Sequence, residues 1–146
     1  MKMEFTAIKP DEFAALFTVV KQGIYPYVEE CFSWNDDVQR DRLINDYQPH
    51  WFHWLMMDRK QIGLVCFKPY DDAFHIHLLI LLPDYQKQGF GKKVMQQIHQ
   101  RAKQESKRKI TLSSFSANQG ALRFYQSLDY QTTAKDEQFH CLALLL

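Results

Sequence analysis

Apolar residues recur along this chain with two periods, and the change from one to the other marks its elements. Met3 to Ile8 alternates as a short strand does, and Pro10-Asp11-Glu12 then supplies the proline and acidic first turn of a helix. Phe13, Leu16, Phe17 and Val20 come next at helical spacing, predicting a first helix to about Gln22 with Gly23 as its stop. From Ile24 to Pro49 the pattern mixes Tyr25, Tyr27, Phe32 and Trp34 with Glu29, Glu30, Asp36, Asp37 and Asp41, and one or two short helices are expected there. Then come three apolar, aromatic runs: Trp51 to Met57, Gln61 to Tyr70 and Ala73 to Leu82. Polar turns at Asp58-Arg59-Lys60 and Asp71-Asp72 join them, which predicts an antiparallel meander. Beyond Leu82 the spacing predicts a helix from Gly91 to about Ser106, with Val94, Ile98 and Ala102 on one face. A strand Lys109 to Ser114, a helix Asn118 to Leu128, and strands Tyr130 to Ala134 and Phe139 to Leu146 complete the chain. No linker, repeat or low-complexity stretch interrupts it. The expectation is one α+β domain over residues 1–146 with a mixed, mostly antiparallel central sheet.

Composition narrows the classes. A chain of 146 residues, 46% hydrophobic and 24% charged, suits a soluble globular domain with a real core. Its net charge of +1 gives no global reason to expect nucleic acid or a membrane surface. No apolar run reaches the roughly 20 residues of a membrane span, and the N-terminus is not built like a signal peptide. Cys31, Cys66 and Cys141 are odd in number and far apart, as buried free thiols of a reducing cytoplasm would be. A cytoplasmic protein is expected.

The chemistry begins where the meander ends. Leu82-Pro83-Asp84-Tyr85-Gln86-Lys87-Gln88-Gly89-Phe90-Gly91-Lys92-Lys93 is a strand end, a tight glycine loop and a helix start. A helix N-terminus carries unpaired N–H groups and the positive end of the macrodipole, so this loop is read as an anion cradle. It lacks the third glycine of a Rossmann loop, where Val94 stands, and the first glycine of a P-loop, where Gln86 stands. What remains is Q-x-x-G-x-G, with Gln86, Gly89 and Gly91 in place. It resembles the pyrophosphate loop of the GNAT superfamily, the acyl-CoA-dependent N-acetyltransferases. Asn118-Gln119-Gly120-Ala121-Leu122-Arg123-Phe124-Tyr125, with Leu128-Asp129-Tyr130 after it, is similar to that family's N-x-x-A-x-x-x-Y-x-x-L-G-F segment. Asp129 departs from the usual glycine, at a position where a left-handed residue ends the helix.

The resemblance implies a sheet of about six to seven strands flanked by about four helices, and acetyl-CoA as co-substrate. It puts backbone contacts to the acyl and pantetheine groups at Leu79, Ile80 and Leu81. It puts the pyrophosphate on the amides of Lys87, Gln88, Gly89, Phe90, Gly91 and Lys92, with Gln86 and Asn118 completing the cofactor site. Attack on a thioester needs a neutral amine and a proton for the leaving thiolate, and Tyr125 is assigned the acid role. Glutamates that many members use as base are absent: His75 and Ser113 stand at those positions. His75 and His77 share one face of their strand by period two, so one or the other is the expected base, acting through water. No metal site is expected, because His75-x-His77 has no third ligand at a recognisable spacing. Lys87, Lys92, Lys93, Arg101, Lys103, Lys107, Arg108 and Lys109 make one end basic, suited to coenzyme A phosphates. In the family the Tyr25–Asp41 region usually covers the acceptor, and its carboxylates with Tyr27 and Trp34 would suit a cationic amine. The acceptor, a small molecule or a protein amine, stays open. So does a non-catalytic acyl-CoA-binding or sensory role, for which the Tyr125 hydroxyl would be dispensable. Leu142 to Leu146 reads as an apolar edge strand that would pair with a second copy as a homodimer.

Overall fold

The computed structural model describes residues 2–146. Among them seven strands and four α helices occur in the order β1 (Met3–Ala7), α1 (Phe13–Phe32), α2 (Asp36–Asn45), β2 (Phe52–Met57), β3 (Lys60–Tyr70), β4 (Ala73–Leu81), α3 (Phe90–Gln104), β5 (Lys109–Phe115), α4 (Gln119–Ser127), β6 (Gln131–Lys135) and β7 (Phe139–Leu145). The strands make one mixed sheet in the order β1-β2-β3-β4-β5-β7-β6. Short 3-10 turns precede α1, β2 and the loop after β4. No helix among the described residues is long and apolar enough to cross a membrane.

The chain forms two compact units, and β3 and β4 each contribute to both. The first comprises the residues up to Cys66 together with Leu78–Gln88. In it β1 pairs antiparallel with β2 and β2 with β3, with a bulge at Leu55/Met56. Leu16, Phe17, Val20, Leu43, Phe52, Trp54, Leu64 and Ile80 form its buried cluster. α1 does not stop at Gly23, as the sequence suggests, but runs through Gly23 and Pro26 to Phe32. The missing side chain of Gly23 serves packing rather than termination: a Cβ there would lie 2.7 Å from Ile80 Cγ2. α2 begins with Asn35, whose side chain accepts from the Val38 amide at 3.0 Å.

Gly63 on β3 makes a closer approach still. A Cβ at that position would overlap the Ile80 carbonyl oxygen, which is backbone and cannot rotate away. Ile80, 6% exposed, is thus held by two glycines.

The second unit comprises Phe67–His77 and Gly89–Leu146. Here the first residues of β4 pair in parallel with β5, from Ala73↔Lys109 to Ile76↔Leu112. β5 pairs antiparallel with β7 along its whole length, and β7 with β6. Val94, Met95, Ile98 and Ala102 bury one face of α3, and Leu122 and Tyr125 one face of α4. The C-terminal run is not an edge along its whole length: residues 140–143 of β7 pair with both β5 and β6, and the outer strand is the polar β6. Leu142 and Ala143 therefore have partners on both sides, and the expected edge shrinks to Leu144 and Leu145, which pair with β5 alone.

Gly63→Ala is expected to destabilise the protein by about 3 kcal/mol through overpacking against backbone. Gly120→Ala, inside α4 with its nearest neighbour 3.9 Å from a built Cβ, should stabilise by about 0.5–1 kcal/mol. Urea unfolding of the two variants beside the native chain checks both signs.

Candidate active site

β4 ends in the apolar residues Leu78 to Leu81, and after Leu82 the chain turns through a 3-10 turn at Pro83–Tyr85. Pro83 starts that turn because its φ is fixed and it has no amide to satisfy. Two side chains clamp the loop beyond it: Gln86 Nε2 donates to the Leu81 carbonyl at 2.9 Å, and Gln88 Nε2 to the Asp84 carbonyl at 2.6 Å. The Leu82 amide donates to the Ile62 carbonyl at 2.8 Å, fixing the strand end. Lys87 (φ 60°) and Gly89 (φ 85°) are left-handed. Alternation of left-handed residues turns successive amides toward one side, the arrangement that receives anions. A Cβ on Gly89 would meet nothing within 4 Å, so the space beside its amide is open.

Gly89 caps α3, whose first turn holds Phe90, Gly91, Lys92 and Lys93 and no acidic residue. Positive dipole end, lysines and an open glycine suit a phosphate group, and this is the test that a coenzyme A pyrophosphate must pass. Several other basic residues have local tasks. Arg101 pairs with Glu105 at 3.0 Å and lies over the Phe67 ring, and Lys107 donates to the Asp71 carbonyl at 3.2 Å.

Leu79 and Leu81 are half-buried and Ile80 buried, while Gln86 to Gly89 and Lys92 are exposed. Asn118 is the N-cap of α4, its Oδ1 accepting the Ala121 amide at 3.1 Å. Asp129 carries the left-handed geometry (φ 72°) that its glycine-like position requires. Tyr125 is buried, 7% exposed, and burial pushes its phenol well above the ordinary value. Its ring packs edge-on against those of Phe124, 5.0 Å away, and Tyr130, 5.5 Å away.

His75 and His77 lie together on β4, ring centroids 4.8 Å apart. His75 Nδ1 is 2.8 Å from the Thr111 hydroxyl, directly across the parallel register. Burial, and secondarily the charge of Lys68, lower the His75 pKa below its ordinary value, so the ring is neutral at pH 7. Ser113 is exposed, its hydroxyl 3.6 Å from Cys141 Sγ. Among the described residues no group of three or more His, Cys, Asp or Glu is placed to hold a metal ion.

The acidic, aromatic segment has a cation of its own. Lys21 Nζ sits 2.9 Å from Asp36 Oδ1, between the rings of Tyr25 and Trp34 at 5.9 and 5.7 Å. Trp34 Nε1 donates to the same carboxylate oxygen at 2.6 Å. That hydrogen bond, then Lys21, holds the Asp36 carboxyl below the usual carboxylate range. Trp34 and Asp36 thus serve an internal lysine. Sequence reading missed Lys21, Thr111 and His99 because their partners are distant in the chain; for Tyr130 the signal was there, a tyrosine where the motif has phenylalanine.

A sequence model of the Acetyltransferase (GNAT) family matches residues 21–130. None of the curated protein sequences matches this chain. Among solved structures, the PaiA N-acetyltransferase from Thermoplasma acidophilum, in complex with coenzyme A, superposes with a TM-score of 0.78 at 14% identity, covering 100% of both chains. The ribosomal-protein-S18-alanine N-acetyltransferase from Escherichia coli gives 0.69 at 15% identity, covering 99% of this chain and 94% of its own. A NatC complex bound to Gag peptide and CoA gives 0.63 at 17%, covering 100% and 99%. At these identities the likeness is one of fold.

Asn118→Ala should cost about 1 kcal/mol by removing the α4 cap. Thermal unfolding reads that loss.

Proposed function

This chain belongs to the Acetyltransferase (GNAT) family, and from that premise we propose that residues 1–146 act as one N-acetyltransferase domain, moving the acetyl group of acetyl-CoA directly to a primary amine in the cytoplasm. The observation that carries the reading is the clamped loop after β4, with left-handed Lys87 and Gly89 opening onto the acid-free N-terminus of α3. The amides of Lys87 to Lys92 take the pyrophosphate, and Gln86 keeps the loop in shape through the Leu81 carbonyl. Leu79 and Leu81, on β4 beyond the end of its register with β5, offer backbone groups to the pantetheine and acyl amides; Ile80, expected to do the same, turns its carbonyl toward Gly63 on β3 instead.

Acetyl-CoA supplies an activated acetyl group, and the chain has to manage two protons. A lysine-like amine, with a pKa near 10.4, is overwhelmingly charged at pH 7, so a base must take its proton. His75, neutral through burial, takes it through water, with His77 beside it as the other candidate. Tyr125 serves the departing thiolate. Burial keeps its phenol protonated throughout the working range, but also makes complete transfer to a thiolate of pKa near 8.5 uphill. Hydrogen-bond donation as the C–S bond breaks is therefore its main contribution. Two of the structural neighbours are described with a ribosomal-protein alanine and with a peptide, so protein amines belong in any acceptor screen beside small amines.

The test is release of free thiol from acetyl-CoA with pooled amines and peptides. Tyr125→Phe is expected to lower kcat about 100-fold with little change in acetyl-CoA affinity. Acetyl-CoA binding without release from any pool would favour the non-catalytic acyl-CoA-binding reading.

The pH profile tests the base. With His75 neutral as the active form and its pKa below 6.5, the native rate should be level near neutral pH and fall as pH drops below that value. His75→Ala should lose rate at pH 7–8 and lose this acid limb. An unchanged profile in both His75→Ala and His77→Ala removes histidine from the mechanism.

A further inference from the structure

Tyr125 is one end of a short polar chain. Its ring meets the edge of Tyr130 with centroids 5.5 Å apart at 63°, and the Tyr130 amide donates to the Tyr125 carbonyl at 3.1 Å. Tyr130 is 3% exposed, yet its hydroxyl has a partner: Nε2 of His99 on α3, 2.7 Å away, with the rings 5.8 Å apart. His99 comes directly after Ile98 on α3 and is itself half-buried.

A phenylalanine at position 130 would give the same ring contact with Tyr125. The hydroxyl adds nothing to that packing, and burying it without a partner would be unfavourable. The structure spends a second side chain, on another helix, to satisfy it. Resting on the acetyltransferase reading above, we propose that His99 and Tyr130 are positioning residues for Tyr125, holding its ring in the orientation from which the hydroxyl reaches the departing thiolate. His99 holds the Tyr130 hydroxyl, and the Tyr130 ring, fixed at that end and by its amide, limits the rotation of Tyr125.

The electrostatics agree with this geometry. Burial, and then Lys103, lower the His99 pKa, so the ring is neutral near pH 7 and, with its proton on Nδ1, accepts the Tyr130 hydroxyl. Burial raises the Tyr130 phenol, and Tyr125 raises it further. Burial by itself keeps the proton on Tyr125.

Thiol release with the native chain, Tyr130→Phe, His99→Leu and His99→Gln tests the pair, each alone and with Tyr125→Phe. Tyr130→Phe and His99→Leu should each lower kcat about tenfold, with the KM for acetyl-CoA unchanged. His99→Gln, which keeps an acceptor, should retain most of the native rate. In the Tyr125→Phe background none of the three should lower the rate further, because the group they position is gone. Equal fractional losses in both backgrounds, an effect confined to KM, or native kcat in Tyr130→Phe would overturn the proposal while leaving the acetyltransferase reading intact. A Tyr125→Phe variant as active as the native chain overturns it as well. No release from native protein with any amine overturns both together, which separates that failure from the others.

Discussion

The fold depends on how closely the chain can approach Ile80. Gly63 lets the β3 backbone come against the Ile80 carbonyl, and Gly23 lets α1 come against its side chain. A Cβ on Gly63 would push β4 out of line at the residues that lead into the loop, and one on Gly23 would displace the Ile80 side chain. With Ile80 seated, the Leu82 amide reaches the Ile62 carbonyl and the Gln86 side chain reaches the Leu81 carbonyl. The loop that carries Lys87 is therefore anchored on a packed strand, as the proposed anion site would need. Ordering a loop at the moment of binding costs affinity, and a loop already ordered avoids that cost.

The same residues explain how far the sequence was legible. Pro83, Gly89 and Asn118 act locally, through a fixed φ, a left-handed φ or a cap, and each marks its element where the structure has it. The strand runs around Asp58-Arg59 and Asp71-Asp72 read correctly for the same reason; Asp58, Arg59 and Asp71 are all left-handed. Gly23 misleads because its role is tertiary: a helix stop and a packing notch look alike until Ile80 is in place. The C-terminal apolar run misleads because strand order is non-local, and nothing within Phe139–Leu145 says that β6 lies outside it. Lys21 lies 15 residues from Asp36, and His99 lies 31 from Tyr130. No period within one element reports such pairs.

The Lys21 cluster bears on acceptor choice. An ammonium between two aromatic faces and a carboxylate is the arrangement expected around a cationic substrate, but here the cation belongs to the chain. Its side chain and that of Asp36 are 40% and 43% exposed, so water screens the pair and its stabilisation is modest. The cluster's effect is to hold Trp34 in place just beyond the end of α1. An acidic, aromatic stretch is thus weak evidence for a cationic ligand until its own lysines have been placed.

One physical cause leads at both titratable groups, with the charge of Lys68 adding to it at His75. Loss of hydration disfavours whichever form carries charge, so it lowers a histidine and raises a tyrosine. His75 is moved toward the free base and Tyr125 toward the intact acid, each in the direction its proposed role needs near neutral pH. Neither shift requires an opposite charge to be built beside the group. A glutamate at the same position would face a different balance: burial raises a carboxyl toward its protonated form, in which it takes no proton from an amine. At a half-buried strand position, a neutral imidazole is the base that burial leaves ready.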